Sequence, residues 1–147
     1  MYLENETSTL GFGASVARLS YPPLVIHLRG DLGTGKTTFA RGFIRALGHS
    51  GRVKSPTFSL QESYVLEQAA LFHFDLYRIQ DPAELEFIGI RDAAGEADTI
   101  CLIEWPERGA GEIPEADVEL VFRYAGEGRE VDSHGRSAKG RSVIKLL

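Results

Sequence analysis

The hydrophobic residues of the chain fall into short apolar runs separated by amphipathic stretches. Apolar runs at residues 24–28, 70–75 and 99–105 are typical of buried strands. Between them, residues 38–47 carry apolar side chains on one helical face, and residues 81–90 begin with an aspartate cap followed by proline. Buried strands that alternate with helices predict an α/β fold with a mostly parallel sheet.

The two ends of the chain depart from this pattern. Residues 8–19 predict a modest first helix with a Ser or Thr cap, and residues 118–124 alternate as a strand does. A turn at residues 126–128 and a last strand over residues 142–147 would give the sheet an antiparallel C-terminal end. Residues 58–66 alternate loosely and predict one more strand.

Composition narrows the class of protein. The chain has 147 residues, of which 43% are hydrophobic and 25% charged, as expected for one globular domain. No apolar run approaches the roughly 18 residues of a membrane span, and the acidic start has no signal-peptide core. The one cysteine, Cys101, lies in an apolar run and is interpreted as a buried thiol. We therefore expect a cytoplasmic protein that does not bind membranes.

The net charge limits the partners. A formal charge of −5 argues against a protein that grips nucleic acid by itself, because phosphate contacts require clustered Lys and Arg. Basic residues do cluster at 41–54 and 129–145. The ordinary interpretation is solvated surface; the alternative is docking to an acidic partner or to RNA held by that partner.

The strongest chemical signal is the segment 30–37, with the sequence GDLGTGKT. It matches the phosphate-binding loop G-x-x-x-x-G-K-[ST], whose glycines let backbone N–H groups point at phosphate oxygens. Lys36 would reach the β- and γ-phosphates, and Thr37 would ligate Mg²⁺. The order strand, loop, helix is the one this chemistry needs. The chain is thus predicted to be one P-loop NTPase-like domain of three layers over residues 1–147.

Two acidic residues end predicted strands, where the carboxyl edge of an open α/β sheet holds ligands. Glu104 follows four apolar residues, the form expected of a carboxylate on the metal side of a phosphate site. Asp75 ends the preceding strand and is a candidate for supporting the metal or orienting an attacking water. Chemistry beyond phosphate binding is expected to depend on these two carboxylates.

Three other residues near these strands have open roles. Thr57 follows a proline that keeps the chain extended, and it either reaches the γ-phosphate from a mobile segment or simply starts a strand. Trp105 faces the nucleotide, a partner or the core. His73 lies on an apolar strand and is interpreted as a packed core histidine.

Five segments carry a still more specific signal: GDLGTGKTT at 30–38, VKSPT at 53–57, FHFDLYR at 72–78, ELEFIGIRD at 84–92 and IEWPER at 103–108. In this order they resemble the TsaE family, also called YjeE, over about residues 8–131. The HFDLYR and EWPERG blocks are far more specific than the phosphate loop. Beyond about residue 132 the family pattern fades.

The resemblance implies a bacterial cytoplasmic enzyme that hydrolyses ATP with Mg²⁺ in the synthesis of tRNA threonylcarbamoyladenosine. It also implies two protein partners, TsaB and TsaD, which place the threonylcarbamoyl group on the adenosine next to the anticodon. ATP hydrolysis would reset this complex between turnovers, would be weak without the partners, and would meet tRNA only through them.

By the same resemblance, the catalytic residues are Lys36, Asp75, Glu104 and Thr57, and Mg²⁺ binds at Thr37 and Glu104. The nucleotide-binding residues belong to the loop and to two more distant positions: Thr9, Asp31, Leu32, Gly33, Thr34, Gly35, Lys36, Thr37, Thr38 and Arg129.

A phosphate loop also occurs in small-molecule kinases, GTP switches and non-catalytic nucleotide sensors. A small-molecule kinase would need a basic lid over the phosphates, and the segment between the second and third predicted strands starts instead with the acidic stretch 81–86. A GTP switch would need a guanine-reading Asn-Lys-x-Asp, which the chain lacks. A non-catalytic nucleotide sensor would tolerate loss of Asp75.

Overall fold

One seven-stranded sheet with helices on both faces forms the protein, and the computed structural model describes residues 1–147. The strands in chain order are β1 (Tyr2–Leu3), β2 (Leu24–Arg29), β3 (Gln61–Val65), β4 (Ala70–Asp75), β5 (Thr99–Glu104), β6 (Val118–Ala125) and β7 (Gly128–Gly135). The α-helices are α1 (Glu6–Leu19), α2 (Lys36–Ala46), α3 (Ile90–Gly95) and α4 (Ala138–Lys145). Two 3₁₀ helices cover Pro82–Ile88 and Pro106–Gly109. None of the helices has the length and apolar composition that crossing a bilayer requires.

The strand order is β1-β7-β6-β2-β5-β4-β3. The four central strands β6, β2, β5 and β4 are mutually parallel, whereas β7 and β1 close one edge antiparallel and β3 closes the other edge antiparallel. The predicted α/β class with an antiparallel C-terminal end is confirmed. Because β2, β4 and β5 are parallel, their carboxyl ends meet at one edge, where the phosphate loop, Asp75 and Glu104 follow.

The sheet separates two apolar cores, which explains the continuous apolar runs of the central strands. On β5, Ile100 and Leu102 pack with α1 and α2, while Cys101 and Ile103 pack on the opposite face with the segment that holds Leu85 and Ile90. Successive side chains of a strand point to opposite faces, so a strand buried on both faces is apolar at every position. The predicted burial of Cys101 is confirmed, and burial raises the pKa of its thiol to about 12.

The first two helices begin slightly earlier than their patterns predict. Asn5, not Ser8 or Thr9, caps α1, and its side chain accepts a hydrogen bond from the backbone N–H of Ser8 at 2.9 Å. Helix α2 begins at Lys36, inside the phosphate-loop motif, rather than at residue 38. In both helices the buried apolar face begins about one turn after the first residue with a helical backbone.

The predicted last strand over residues 142–147 is wrong. Residues 142–145 belong instead to α4, which Ser137 caps by accepting a hydrogen bond from the backbone N–H of Gly140. The antiparallel partner of β6 is instead β7, which immediately follows the turn. Its sequence GREVDSHG buries only Gly128 and Val131 and therefore shows no alternation.

The structure also differs from the helix predicted over residues 81–90 and from the strand predicted over residues 58–66. The predicted helix over residues 81–90 is a 3₁₀ helix that stops at Gly89, where φ is +68°, before the short α3. Asp81 does cap this segment, accepting from the backbone N–H of Ala83. The strand expected at residues 58–66 is shorter, because residues 56–59 form a turn and Leu60 has a φ of +65°.

Candidate functional site

The segment 30–37 joins the end of β2 to the start of α2 as a tight loop. Gly33 and Gly35 have φ values of +75° and +104°, in the left-handed region that side chains other than glycine disfavour. No side chain caps α2, so its first backbone N–H groups remain free at the helix end that carries a partial positive charge. This arrangement is suited to binding phosphate.

Lys36 lies at the floor of this loop and is 4% exposed. Its Nζ donates to the carbonyl oxygens of Gly30 at 2.5 Å and Asp31 at 2.8 Å, and it lies 4.7 Å from the centre of the Trp105 ring system. Burial lowers the pKa of Lys36, and the nearby carboxylates, chiefly Glu104, partly oppose that shift. The ammonium is therefore held inside the site and facing anionic groups.

Glu104 ends β5 opposite the first turn of α2. The hydroxyl of Thr37 lies 3.1 Å from Glu104 Oε1 and 3.2 Å from Oε2. His73 Nε2 lies 2.6 Å from Glu104 Oε2, and both side chains are almost fully buried. The two residues predicted to ligate Mg²⁺, Thr37 and Glu104, are thus in direct contact with each other.

Asp75 ends β4 in the register position next to Glu104. Its carboxylate accepts from the backbone N–H of Tyr77 at 3.0 Å and from the hydroxyl of Thr57 at 3.2 Å. Burial raises the pKa of Asp75, the negative charge of Glu104 raises it further, and the two hydrogen bonds oppose the shift. Two buried carboxylates side by side favour a cation between them.

A cavity of about 190 Å³ brings most of the predicted site residues together. It is lined by Leu32, Gly33, Gly35, Lys36, Thr37, Thr38, Thr57, Asp75, Tyr77, Glu104 and Trp105. A second cavity of similar size shares Gly33, Gly35 and Thr38 with the first and contains the two more distant candidates, Thr9 and Arg129. Together they form a trough on both sides of the phosphate loop.

Two of the predicted nucleotide-binding residues, Asp31 and Thr34, line neither cavity. The Thr34 side chain is buried and donates to the carbonyl of Asp31 at 2.7 Å. Asp31 offers its carbonyl to Lys36, while its side chain is exposed. Their contribution is to the shape of the loop.

Arg129 crosses from β7 to the loop. Its guanidinium donates to the carbonyl of Gly33 at 3.1 Å and lies over the ring of Tyr124, whose hydroxyl bonds to the carbonyl of Leu32. The β6–β7 hairpin, which the sequence pattern only half predicted, therefore supports the loop from outside.

The sequence did not place His73 or Tyr77 among the site residues. The predicted burial of His73 in the core is confirmed, and its ring also bonds to Glu104. Its position two residues before Asp75 puts both side chains on one face of β4. Tyr77 lies against Trp105 with ring centres 5.0 Å apart. Trp105 adopts φ +57°, an uncommon conformation for a non-glycine residue that concentrates at functional sites.

Asp75→Asn is expected to stabilise the ligand-free protein by about 1 kcal/mol at pH 7. Asparagine keeps an acceptor for Tyr77 and Thr57 but removes a buried charge beside Glu104. Because the pKa of Asp75 is raised in the folded state, ionising it costs stability as the pH rises through that pKa. The gain should be present at pH 7 and vanish below about pH 4, where the aspartate is protonated in both states. Urea denaturation at both pH values measures it; equal gains would contradict this cause.

The donor set determines which metal these residues fit. No three His, Cys, Asp or Glu side chains are grouped to hold a metal by themselves. Mg²⁺ is bound in phosphate sites through one or two protein oxygens, with waters and substrate phosphates completing its shell. The hydroxyl of Thr37 and the carboxylate of Glu104 beside an open phosphate loop fit that requirement.

Comparisons with known proteins agree with this geometry. The family model "Threonylcarbamoyl adenosine biosynthesis protein TsaE" matches residues 3–131. A relative from Haemophilus influenzae named "tRNA threonylcarbamoyladenosine biosynthesis protein TsaE" is 43% identical, covering 99% of this chain and 95% of its own. The protein of the same name from Bacillus subtilis is 35% identical over 84% of this chain and 76% of its own.

A solved structure gives the same result for the fold. The crystal structure of YdiB from Bacillus subtilis superposes with a TM-score of 0.83 at 25% identity, over 99% of this chain and 90% of that one. The matched region contains both cavities and every residue predicted for the site. The chain belongs to the TsaE family of P-loop, nucleotide-binding proteins.

Proposed function

We propose that this protein is a Mg²⁺-dependent ATPase that serves the synthesis of tRNA threonylcarbamoyladenosine. The observation that carries the proposal is the contact of Thr37 with Glu104, at 3.1 Å, beside the uncapped start of α2 and the buried Lys36. A metal-side carboxylate, a hydroxyl ligand and a cation around one phosphate loop are the parts that nucleotide hydrolysis needs. The pathway is taken from the names of the relatives.

The loop residues would bind the phosphates, and Lys36 would leave the carbonyls of Gly30 and Asp31 to contact the β- and γ-phosphates. Thr37 and Glu104 would hold Mg²⁺, which when bound offsets the charge that develops on the phosphate oxygens. Asp75, held by Thr57 and lying beside Glu104, would orient the attacking water. The nucleoside would extend toward Thr9 and Arg129 in the second cavity.

We propose TsaB and TsaD as the protein partners and the cytoplasm as the place of action. The formal charge of −5 supports contact with tRNA through these partners rather than directly. ATP hydrolysis would then reset the complex between rounds of modification. If these partners complete the site, the chain alone would hydrolyse ATP slowly, since trans-acting groups raise such rates.

The test measures release of inorganic phosphate from ATP by the chain alone and with TsaB and TsaD, in Mg²⁺ and in EDTA. We expect hydrolysis to require Mg²⁺ and to rise at least about tenfold with the partners. Thr37→Val, which removes the hydroxyl at constant shape, should raise the Mg²⁺ concentration for half-maximal rate about tenfold. Thr37→Ser, which keeps the hydroxyl, is the matched control.

Four results would contradict the proposal. Hydrolysis that persists in EDTA, or a Thr37→Val variant with an unchanged Mg²⁺ requirement, would refute the metal assignment. Phosphate that appears on an added small alcohol instead of in solution would favour the small-molecule kinase. A hydrolysis rate that does not change on adding TsaB and TsaD would refute their assignment as partners.

A further inference from the structure

His73 is a fully buried polar residue in contact with a proposed metal ligand. It lies on β4 with no exposed surface, and its Nε2 is 2.6 Å from Glu104 Oε2 on the adjacent strand β5. Leu71 and Leu102, its apolar neighbours on the two strands, belong to the core between the sheet and α2. The contact is therefore shielded from water.

The other ring nitrogen of His73 defines how the proton is placed. Nδ1 is buried and has no hydrogen-bond partner. A proton on Nδ1 would be a buried N–H with no acceptor, which is unfavourable. Because a carboxylate oxygen accepts and cannot donate, Nε2 donates the hydrogen bond to Glu104 Oε2.

Glu104 thereby receives donors from two different elements. His73 on β4 occupies Oε2, and Thr37 on α2 lies within 3.2 Å of both oxygens. A glutamate has three rotatable side-chain bonds, and fixing them on its own would cost conformational entropy at the moment of metal binding. Two donors from different elements restrict the carboxylate before any ligand arrives.

We propose that His73 is a positioning residue that orients the Glu104 carboxylate toward Mg²⁺ without touching the nucleotide itself. The inference rests on the proposed function, because it takes the metal to bind at Thr37 and Glu104. It extends that function by naming the third side chain on which the metal site depends. Groups that orient metal ligands typically change metal affinity about 10- to 100-fold when they are removed.

The single tryptophan of the chain provides a readout that is independent of catalysis. Trp105 follows Glu104 directly and lies 4.7 Å from Lys36 Nζ, so its fluorescence reports on the site. ADP is titrated into each protein in EDTA and at a series of Mg²⁺ concentrations. This yields the affinity for metal-free ADP and the Mg²⁺ concentration that gives half of the metal-dependent change.

The variants separate hydrogen bonding from packing. His73→Phe keeps a planar ring but cannot donate, and His73→Gln can place an amide N–H near the position of Nε2. His27→Phe and His27→Gln are matched controls, because His27 is another buried strand histidine whose Nε2 contacts only the carbonyl of Pro114, at 3.0 Å. Thermal melts are recorded for each, and His73→Leu replaces His73→Phe if that variant does not fold.

We expect His73→Phe to raise the Mg²⁺ concentration for half of the metal-dependent change (the Mg²⁺ half-point) about 10- to 100-fold, with the affinity for metal-free ADP unchanged. His73→Gln should bring the Mg²⁺ half-point most of the way back to the wild-type value. The His27 variants should leave both quantities unchanged. The inference is overturned if His73→Phe leaves the Mg²⁺ half-point unchanged, or if it weakens metal-free ADP binding equally. If the wild type binds ADP without any effect of Mg²⁺, the proposed metal site itself fails, which is a different result.

Discussion

Lys36→Ala is expected to lower the rate of ATP hydrolysis at least about 100-fold and to weaken nucleotide binding. Lys36 is the one cation that lines the cavity between the phosphate loop and the two carboxylates. Without it, Asp75 and Glu104 would face the triphosphate with only Mg²⁺ and the backbone N–H groups to offset their charge. Single-turnover hydrolysis with saturating protein separates the chemical step from binding.

The same substitution should reveal what the ammonium does before the nucleotide arrives. In the ligand-free protein, Lys36 donates to the carbonyls of Gly30 and Asp31. Its positive charge also interacts favourably with the nearby carboxylates of Glu104 and Asp75. Its loss leaves these carbonyls without a buried donor, so we expect a lower melting temperature as well. A fixed concentration of ADP should raise the melting temperature of the variant much less than that of the wild type, because ligand stabilisation follows affinity.

Lys145→Ala is the matched control for charge, since Lys145 is exposed on α4. It should leave both hydrolysis and ADP binding within experimental error. If Lys36→Ala retained more than about a tenth of the wild-type single-turnover rate, the assignment of Lys36 to the phosphates would be wrong.

Gly13→Ala is expected to destabilise the protein by about 3 kcal/mol, the largest effect we predict for a single methyl group. Helices α1 and α2 approach so closely that a Cβ at Gly13 would lie 2.3 Å from the carbonyl oxygen of Phe39 and 2.9 Å from the backbone nitrogen of Phe43. Both atoms are helical backbone and cannot rotate away. Relief requires the two helices to separate, which opens the core around Phe12 and Phe39.

Gly11→Ala in the same helix is the matched control. A Cβ there meets no atom within 4 Å, and the position is exposed. Alanine should therefore stabilise the protein by about 0.5–1 kcal/mol through helix propensity alone. Urea denaturation should show a lower free energy of unfolding for Gly13→Ala and a higher one for Gly11→Ala than for the wild type. A Gly13→Ala variant no less stable than wild type would mean that the helices accommodate the methyl group by shifting.

This close helix crossing also matters for the site. Thr9 on α1 lies 3.4 Å from where a Cβ of Gly35 would be, at the junction of the two cavities. Separating α1 from α2 would move Thr9 away from the phosphate loop. A Gly13→Ala protein that still folds should thus bind ADP more weakly than its Gly11→Ala counterpart, measured by Trp105 fluorescence.

The sequence alone determined the features whose cause is local or follows from complete burial. The loop 30–37 carries its own conformational requirements, because glycines at fixed spacing supply the left-handed backbone that the turn needs. The runs at β2, β4 and β5 are mostly apolar because both faces of these strands are covered, and such runs are visible without knowing what covers them. Acidic residues at the ends of β4 and β5 then followed at the same sheet edge.

Only the tertiary structure decided the features that depend on partners distant in sequence. Strand β7 is polar because it lies next to the edge, and its pairing with β6 and β1 is expressed in backbone hydrogen bonds rather than in side-chain pattern. The apolar residues of 142–147 were compatible with either strand or helix, and the Ser137 cap with packing on β7 selected the helix.

His73 shows the same limit within the site. In the sequence it is one polar residue in an apolar strand, and its neighbour in function is 31 positions away. The parallel register of β4 and β5 brings the two side chains to one face and within 2.6 Å. A hydrogen bond between residues on separate strands depends on how those strands pair, and that pairing is fixed only when the whole sheet has formed.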